Sequence, residues 1–154
     1  TSPAFENHAE LPSKYTCEGT GVSPPLECSG VPAGTRSLAL VVEDPDAPDP
    51  AAPLRVFAHW VLLGLPAELR SLPEAVGAGL PKGARTGRTD SRGKPEYSAP
   101  CPPIGRHRYF LKLYALDVPL SELKKPTRQE LEAAMKGHVL EQAELVGTYQ
   151  KKKA

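Results

Sequence analysis

Apolar positions come in short runs separated by turn-forming residues, and most runs suit strands rather than helices. Ser37-Leu-Ala-Leu-Val-Val-Glu43 is a β-branched and leucine run, preceded by Pro32-Ala-Gly34 and followed by Asp44-Pro45. It predicts a buried strand. Arg55 to Leu63 predicts a second, with Phe57, His59 and Val61 on one face and Trp60 and Leu62 on the other. Arg108 to Leu116 is apolar on both faces, as an interior strand is. Residues 77–106 are dense in glycine and proline and predict one long loop region of the kind that carries function.

The period changes near the C-terminus. Thr127-Arg-Gln-Glu130 is a capping box after Pro126, and Leu131, Ala134 and Met135 follow at helical spacing. Gly137 is placed to stop that helix after about two to three turns. Val139 to Tyr149 returns to alternation, with Val139, Ala143, Leu145 and Tyr149 on one face and Gln142, Glu144 and Thr148 on the other. A solvated tail, Lys151 to Lys153, follows. No internal repeat or domain-sized linker interrupts the chain, so residues 1–154 are read as one domain. Several strands and one short helix point to a mainly β, sandwich-like fold.

Composition narrows the function classes. Lys and Arg number 19 against 18 Asp and Glu, a formal charge of +1, which is a poor footprint for nucleic acid or an anionic membrane surface. No apolar run approaches the ~20 residues of a membrane span, and the N-terminus lacks the basic and apolar regions of a signal peptide. A cytoplasmic location is expected, although the chain does not begin with Met and an exported form stays open. The three cysteines have no metal-binding spacing. Either all three are reduced thiols, or Cys17 pairs with Cys28 and leaves Cys101 free.

Candidate chemistry gathers at strand ends. His59 lies within an apolar strand, where its ring N–H needs a partner. His107 stands at the start of the Arg108 strand and shares a face with Tyr109. Asp44-Pro-Asp-Ala-Pro48 offers two carboxylates on a proline-stiffened turn. Taken singly, each has an ordinary structural explanation: a capped turn, a satisfied core histidine, a packed tyrosine. His8 and His138 are assigned such roles. Together the others make a constellation.

The motifs Tyr15-Thr-Cys-Glu-Gly19, Ser23-Pro-Pro-Leu26, Asp44-Pro-Asp-Ala-Pro48, His59-Trp60, Pro100-Cys-Pro-Pro103, Gly105-Arg-His-Arg-Tyr109 and Ala143-Glu-Leu-Val-Gly147 occur in that order. In this the chain resembles the bacterial and archaeal branch of the phosphatidylethanolamine-binding proteins, also called Raf kinase inhibitor-like proteins. The resemblance implies two antiparallel sheets, a C-terminal helix, and a small pocket for phosphate-like anions or phosphate head groups. Asp44, Asp46, His59, Pro100, His107 and Tyr109 fall on the pocket motif. The chain departs from the family where Ala99-Pro100 replaces a Gly-Pro, where Cys28 replaces a frequent aromatic, and where Thr89-Asp-Ser-Arg-Gly93 replaces Asn-Asp-Phe-Gly.

The expected function is a non-catalytic binding or regulatory module without a cofactor. In it the imidazoles and Tyr109 donate to an anion, one aspartate orients a histidine, and the other faces a ligand ammonium. Three alternatives come from different chemistry. One is an inhibitor of a protein kinase or serine protease, acting through loops around the pocket. Another is a small hydrolase with Cys101 or Asp44 as nucleophile and His107 as base. The last is a zinc site from His59, His107 and Asp44, which no paired-histidine spacing supports.

Overall fold

A computed structural model describes residues 1–152. The longest strands build one antiparallel sheet: β2 (Ser37–Ala47), β3 (Arg55–Leu65), β6 (His107–Leu116) and β7 (Val139–Tyr149), joined by the short β5 (Arg85–Thr86), in the order β5-β3-β2-β6-β7. A second, much smaller antiparallel sheet pairs β1 (Leu26–Glu27) with β4 (Ser71–Leu72). Among the described residues the one α-helix is α1 (Arg128–Met135).

The run that forms β2 is apolar at consecutive positions because both faces of the large sheet are covered. Leu38, Leu40 and Val42 pack with Trp60, Leu62, Leu111 and Leu145 under the small sheet and the N-terminal segment. Ala39 and Val41 face the other way, with Val61, Leu63 and Leu116, against Leu131 and Met135 of α1. α1 begins with the expected capping box: Thr127 Oγ1 accepts from Glu130 N at 3.2 Å, and Glu130 Oε1 accepts from Thr127 N at 2.8 Å. It ends before Gly137, whose φ of +84° turns the chain into β7.

Three features differ from the sequence reading. First, β2 continues to Ala47, so Asp44-Pro45-Asp46 lies in a strand with a register shift between Asp44 and Ala47, and not in a turn. Second, Val42 pairs with Trp60 while Glu43 pairs with Ala58, which makes His59 an extra residue in β3. This bulge breaks the alternation, and His59 joins the side of Trp60 instead of that of Val61. Third, β7 is covered only in its second half. The N-terminal segment runs beside it, with Leu11 N donating to Thr148 O at 2.8 Å and Thr148 N to Ala9 O at 3.0 Å. Gly147 permits this approach, since a Cβ there would stand 2.6 Å from a Leu11 methyl. Val139 and Ala143, placed on one face with Leu145 and Tyr149, are therefore exposed while those two are buried.

The cysteines are also paired otherwise than expected. Cys17 and Cys101 form a disulfide across a sequence separation of 84, and Cys28 is the free thiol. The bond ties the 13–21 segment to the Pro100 loop, where Cys17 N also donates to Pro100 O at 3.0 Å. In the terminal tail, Lys152 is held by Glu10 and Glu18, while Lys153 lies outside the described residues. Among the described residues no helix is long and apolar enough to cross a membrane.

A cross-link this long restricts the unfolded chain strongly. Cys17→Ser/Cys101→Ser should lose about 4 kcal/mol of stability in urea unfolding, against about 1 kcal/mol for removing the helix cap with Thr127→Ala. An equal, small effect of both changes would show that the bond does not restrain the unfolded chain.

Candidate functional site

β5 pairs with β3 only at Leu62 and Leu63, and the 86–100 loop takes up backbone groups of β3 before them. Asp90 mimics a strand neighbour: its Oδ2 accepts from Ala58 N at 2.8 Å and its N donates to Ala58 O at 2.9 Å. Ser98 does the same for His59, with Ser98 N donating to His59 O at 2.8 Å and His59 Nδ1 donating to Ser98 O at 2.8 Å. A carbonyl only accepts, so the proton of the neutral ring sits on Nδ1 and Nε2 keeps its lone pair. Nε2 takes no hydrogen bond among the described residues. Burial holds the His59 pKa below its ordinary value.

Residues at the other end of the sequence meet this point. His59 lies edge-on to Tyr109, with ring centroids 5.4 Å apart, and Tyr109 stacks on His107 at 6.3 Å. Phe57 flanks His59 at 4.7 Å, with the Arg55 guanidinium 5.0 Å from the Phe57 ring centre. The Tyr109 hydroxyl is buried and without a hydrogen-bonding partner among the described residues. Burial raises its pKa far above the ordinary phenol value, so it stays a donor.

His107 is placed differently from His59. It is 1% exposed, and both its ring nitrogens are engaged within the protein. Nδ1 lies 2.5 Å from Asp44 Oδ2, and Nε2 donates to Ile104 O at 2.9 Å and Pro48 O at 3.1 Å. Asp44 thereby orients His107, and His107 ties the 48–54 and 102–105 loops together. Asp44 Oδ1 also accepts from Asp46 N at 2.7 Å. Asp46 is clamped by Arg108, whose Nε donates to Oδ2 at 3.0 Å, whose NH2 group donates to Oδ1 at 2.9 Å, and whose backbone N donates to Oδ2 at 2.9 Å. Those Arg108 hydrogen bonds hold the Asp46 carboxyl below the usual carboxylate range.

All six residues singled out in the sequence thus lie at one end of the large sheet or on the loop beside it. Pro100 is buried on the disulfide-bonded loop, and the Ala99 methyl lies 3.4 Å from where a Cβ on Gly21 would stand. Two assigned roles change. Both ring nitrogens of His107 are engaged within the protein and Asp46 is matched to Arg108, so protein partners hold the groups assigned to a ligand. Cys101, weighed as a nucleophile, is bonded to Cys17 and has no thiolate to offer. Among the described residues no three His, Cys, Asp or Glu side chains are grouped to hold a metal.

A family model described as phosphatidylethanolamine-binding protein matches residues 1–150. The chain belongs to that family. UPF0098 proteins of Chlamydia pneumoniae and Methanothermobacter thermautotrophicus are 46% and 45% identical to it over 150 residues. The alignments cover 97% of this chain and 97% of the first relative, and 96% of this chain and 95% of the second. Among solved structures, a phosphatidylethanolamine-binding protein homologue from Chlamydia trachomatis superposes with a TM-score of 0.89 at 41% identity, over 99% of this chain and 96% of the other. E. coli YbcL, described as a member of the mammalian family, gives 0.88 at 31% identity, over 99% and 97%.

Within this phosphatidylethanolamine-binding protein fold, sequence reasoning missed Arg108, Asp90 and Ser98. Arg108 was available in the Gly105-Arg-His-Arg-Tyr109 motif, because a buried carboxylate at 46 requires a fixed cation. Asp90 and Ser98 gave no signal, since their role exists only once the 86–100 loop folds against β3.

His59 sets the sign of one pH effect. Its folded-state pKa lies below the ordinary 6.5, so the unfolded chain takes up the proton first. Stability should therefore fall as pH drops below 6.5. His59→Asn, which keeps a donor for Ser98 O and does not titrate, should flatten the difference between urea midpoints at pH 7 and pH 5. A slope unchanged by His59→Asn would assign the acid sensitivity to other groups.

Proposed function

We propose that this chain is a binding module for small phosphate-like anions or phosphorylated head groups, with Tyr109 and His59 as the groups that meet the ligand. The observation that carries this reading is the partnerless hydroxyl of Tyr109. A buried hydroxyl without a hydrogen bond costs roughly 1–3 kcal/mol, and an anionic oxygen accepting from it would recover that cost. His59 Nε2 complements it. Unprotonated, it accepts from a protonated phosphoryl oxygen; protonated, it donates to an anion beside the Tyr109 hydroxyl. Asp44 and His107 act behind the ligand, fixing the Tyr109 face and the loops that carry Pro48 and Ile104. The carboxylates, spent on His107 and Arg108, do not repel the anion as free charges would.

The inhibitor alternative rests on a separate observation. Leu54 is 81% exposed and Ile104 53% exposed, and they stand on the two loops that His107 bridges. Such apolar tips on a supported proline-rich rim suit contact with a kinase or protease.

Sulfate keeps its charge between pH 5 and 8, so a change in its affinity over that range comes from the protein. Calorimetric affinity for sulfate should rise as pH falls below 6.5, with its onset displaced downwards by burial of His59. Tyr109→Phe should weaken sulfate binding about tenfold while leaving urea stability unchanged or up to about 1 kcal/mol higher. The reading fails if Tyr109→Phe binds sulfate like the parent protein, or if affinity falls with acidification.

A further inference from the structure

One opening in the molecule lies away from this cluster. A cavity of about 620 Å³ lies between the small sheet and the large one, and none of Asp44, Asp46, His59, Pro100, His107 or Tyr109 lines it. Its walls are leucines: Leu26, Leu69 and Leu72 on the small-sheet side, Leu40, Leu111 and Leu145 on the large. Leu40, Leu72, Leu111 and Leu145 are core residues in one apolar cluster, so the floor of the opening is formed by the core. Protein interiors pack without voids of this size, whereas ligand pockets span about 300–1,000 Å³.

Two residues at the mouth give it chemical character. Cys28 is small where the family resemblance implies a frequent aromatic, and its Sγ donates to Leu69 O at 3.0 Å. Arg70 donates through one guanidinium nitrogen to the carbonyls of Glu68 and Leu69, at 3.0 and 3.3 Å, and no carboxylate pairs with it among the described residues. Glu27 and Glu144 also line the opening and repel an anion placed beside them, while Arg70 attracts one. The covering β1–β4 ladder is only two residue pairs long, so little of the sheet closes over the opening.

We infer that this cavity is a second binding site, for a single-chain anionic amphiphile whose alkyl chain fills the leucine walls and whose carboxylate lies at Arg70. The inference is independent of the anion reading at Tyr109. Alkyl length should govern affinity, because each buried methylene contributes about fourfold until the cavity is full. The head group should add a smaller, Arg70-dependent factor.

Cys28 is the free thiol among the three cysteines, which makes it a reporter at the mouth. Decanoate, below its aggregation concentration, should slow iodoacetamide modification of Cys28 in the parent protein at least fivefold. Calorimetric affinity should rise from hexanoate to octanoate to decanoate by about fourfold per methylene. Cys28→Trp should abolish decanoate binding yet leave sulfate binding intact, with the melting temperature reporting that the variant folds. Arg70→Met should weaken decanoate about tenfold and leave decanol unaffected. Unprotected Cys28 at saturating soluble decanoate, or affinity indifferent to chain length, overturns the site. Equal losses of decanoate and decanol in Arg70→Met overturn the assignment of the head group.

Discussion

Three carboxylates are buried in the last part of β2, and everything at that end of the molecule is arranged to match them. Glu43, Asp44 and Asp46 are 4%, 3% and 6% exposed. An unpaired carboxylate at such depth is ruled out by desolvation. The partners all come from β6: Lys112 Nζ lies 3.2 Å from Glu43 Oε1, His107 meets Asp44, and Arg108 clamps Asp46. A slip of one residue between β2 and β6 would break every pair and turn each side chain to the wrong face. The charges therefore specify register where the leucines of the two strands, which are interchangeable, would not.

The bulge at His59 acts within that frame. An extra residue in β3 brings an imidazole to the side of Tyr109, and the loop residues Asp90 and Ser98 keep the irregular backbone satisfied. The glycine- and proline-rich 77–106 segment is thus a scaffold for a strand defect as much as a connection. Its far end is held by the disulfide to Cys17, so both ends of the segment are fixed by contacts distant in sequence.

Strand placement, the capped helix and the membership of the site cluster were legible because they depend on local pattern and short motifs. The capping box at Thr127 and the shared face of His107 and Tyr109 needed only periodicity. Other features were not legible because their causes are non-local. The side chosen by His59 depends on how Val42 and Glu43 pair across the sheet. The exposure of Val139 and Ala143 depends on how far the N-terminal segment reaches along β7. The partner of Cys101 depends on two loops meeting in space, which spacing along a chain does not encode.

That half-covered strand has a bearing on the molecule in crowded solution. From Val139 to Glu144 the outer edge of β7 has no neighbouring strand among the described residues, and Val139 and Leu140 are 40% and 43% exposed beside it. Open amide groups next to apolar side chains are a template for another extended chain. The glutamates at 141 and 144 put like charges on that margin, so two copies approaching edge to edge repel before their backbones can join. A pair of acids thus stands on a seam that the fold leaves unsewn.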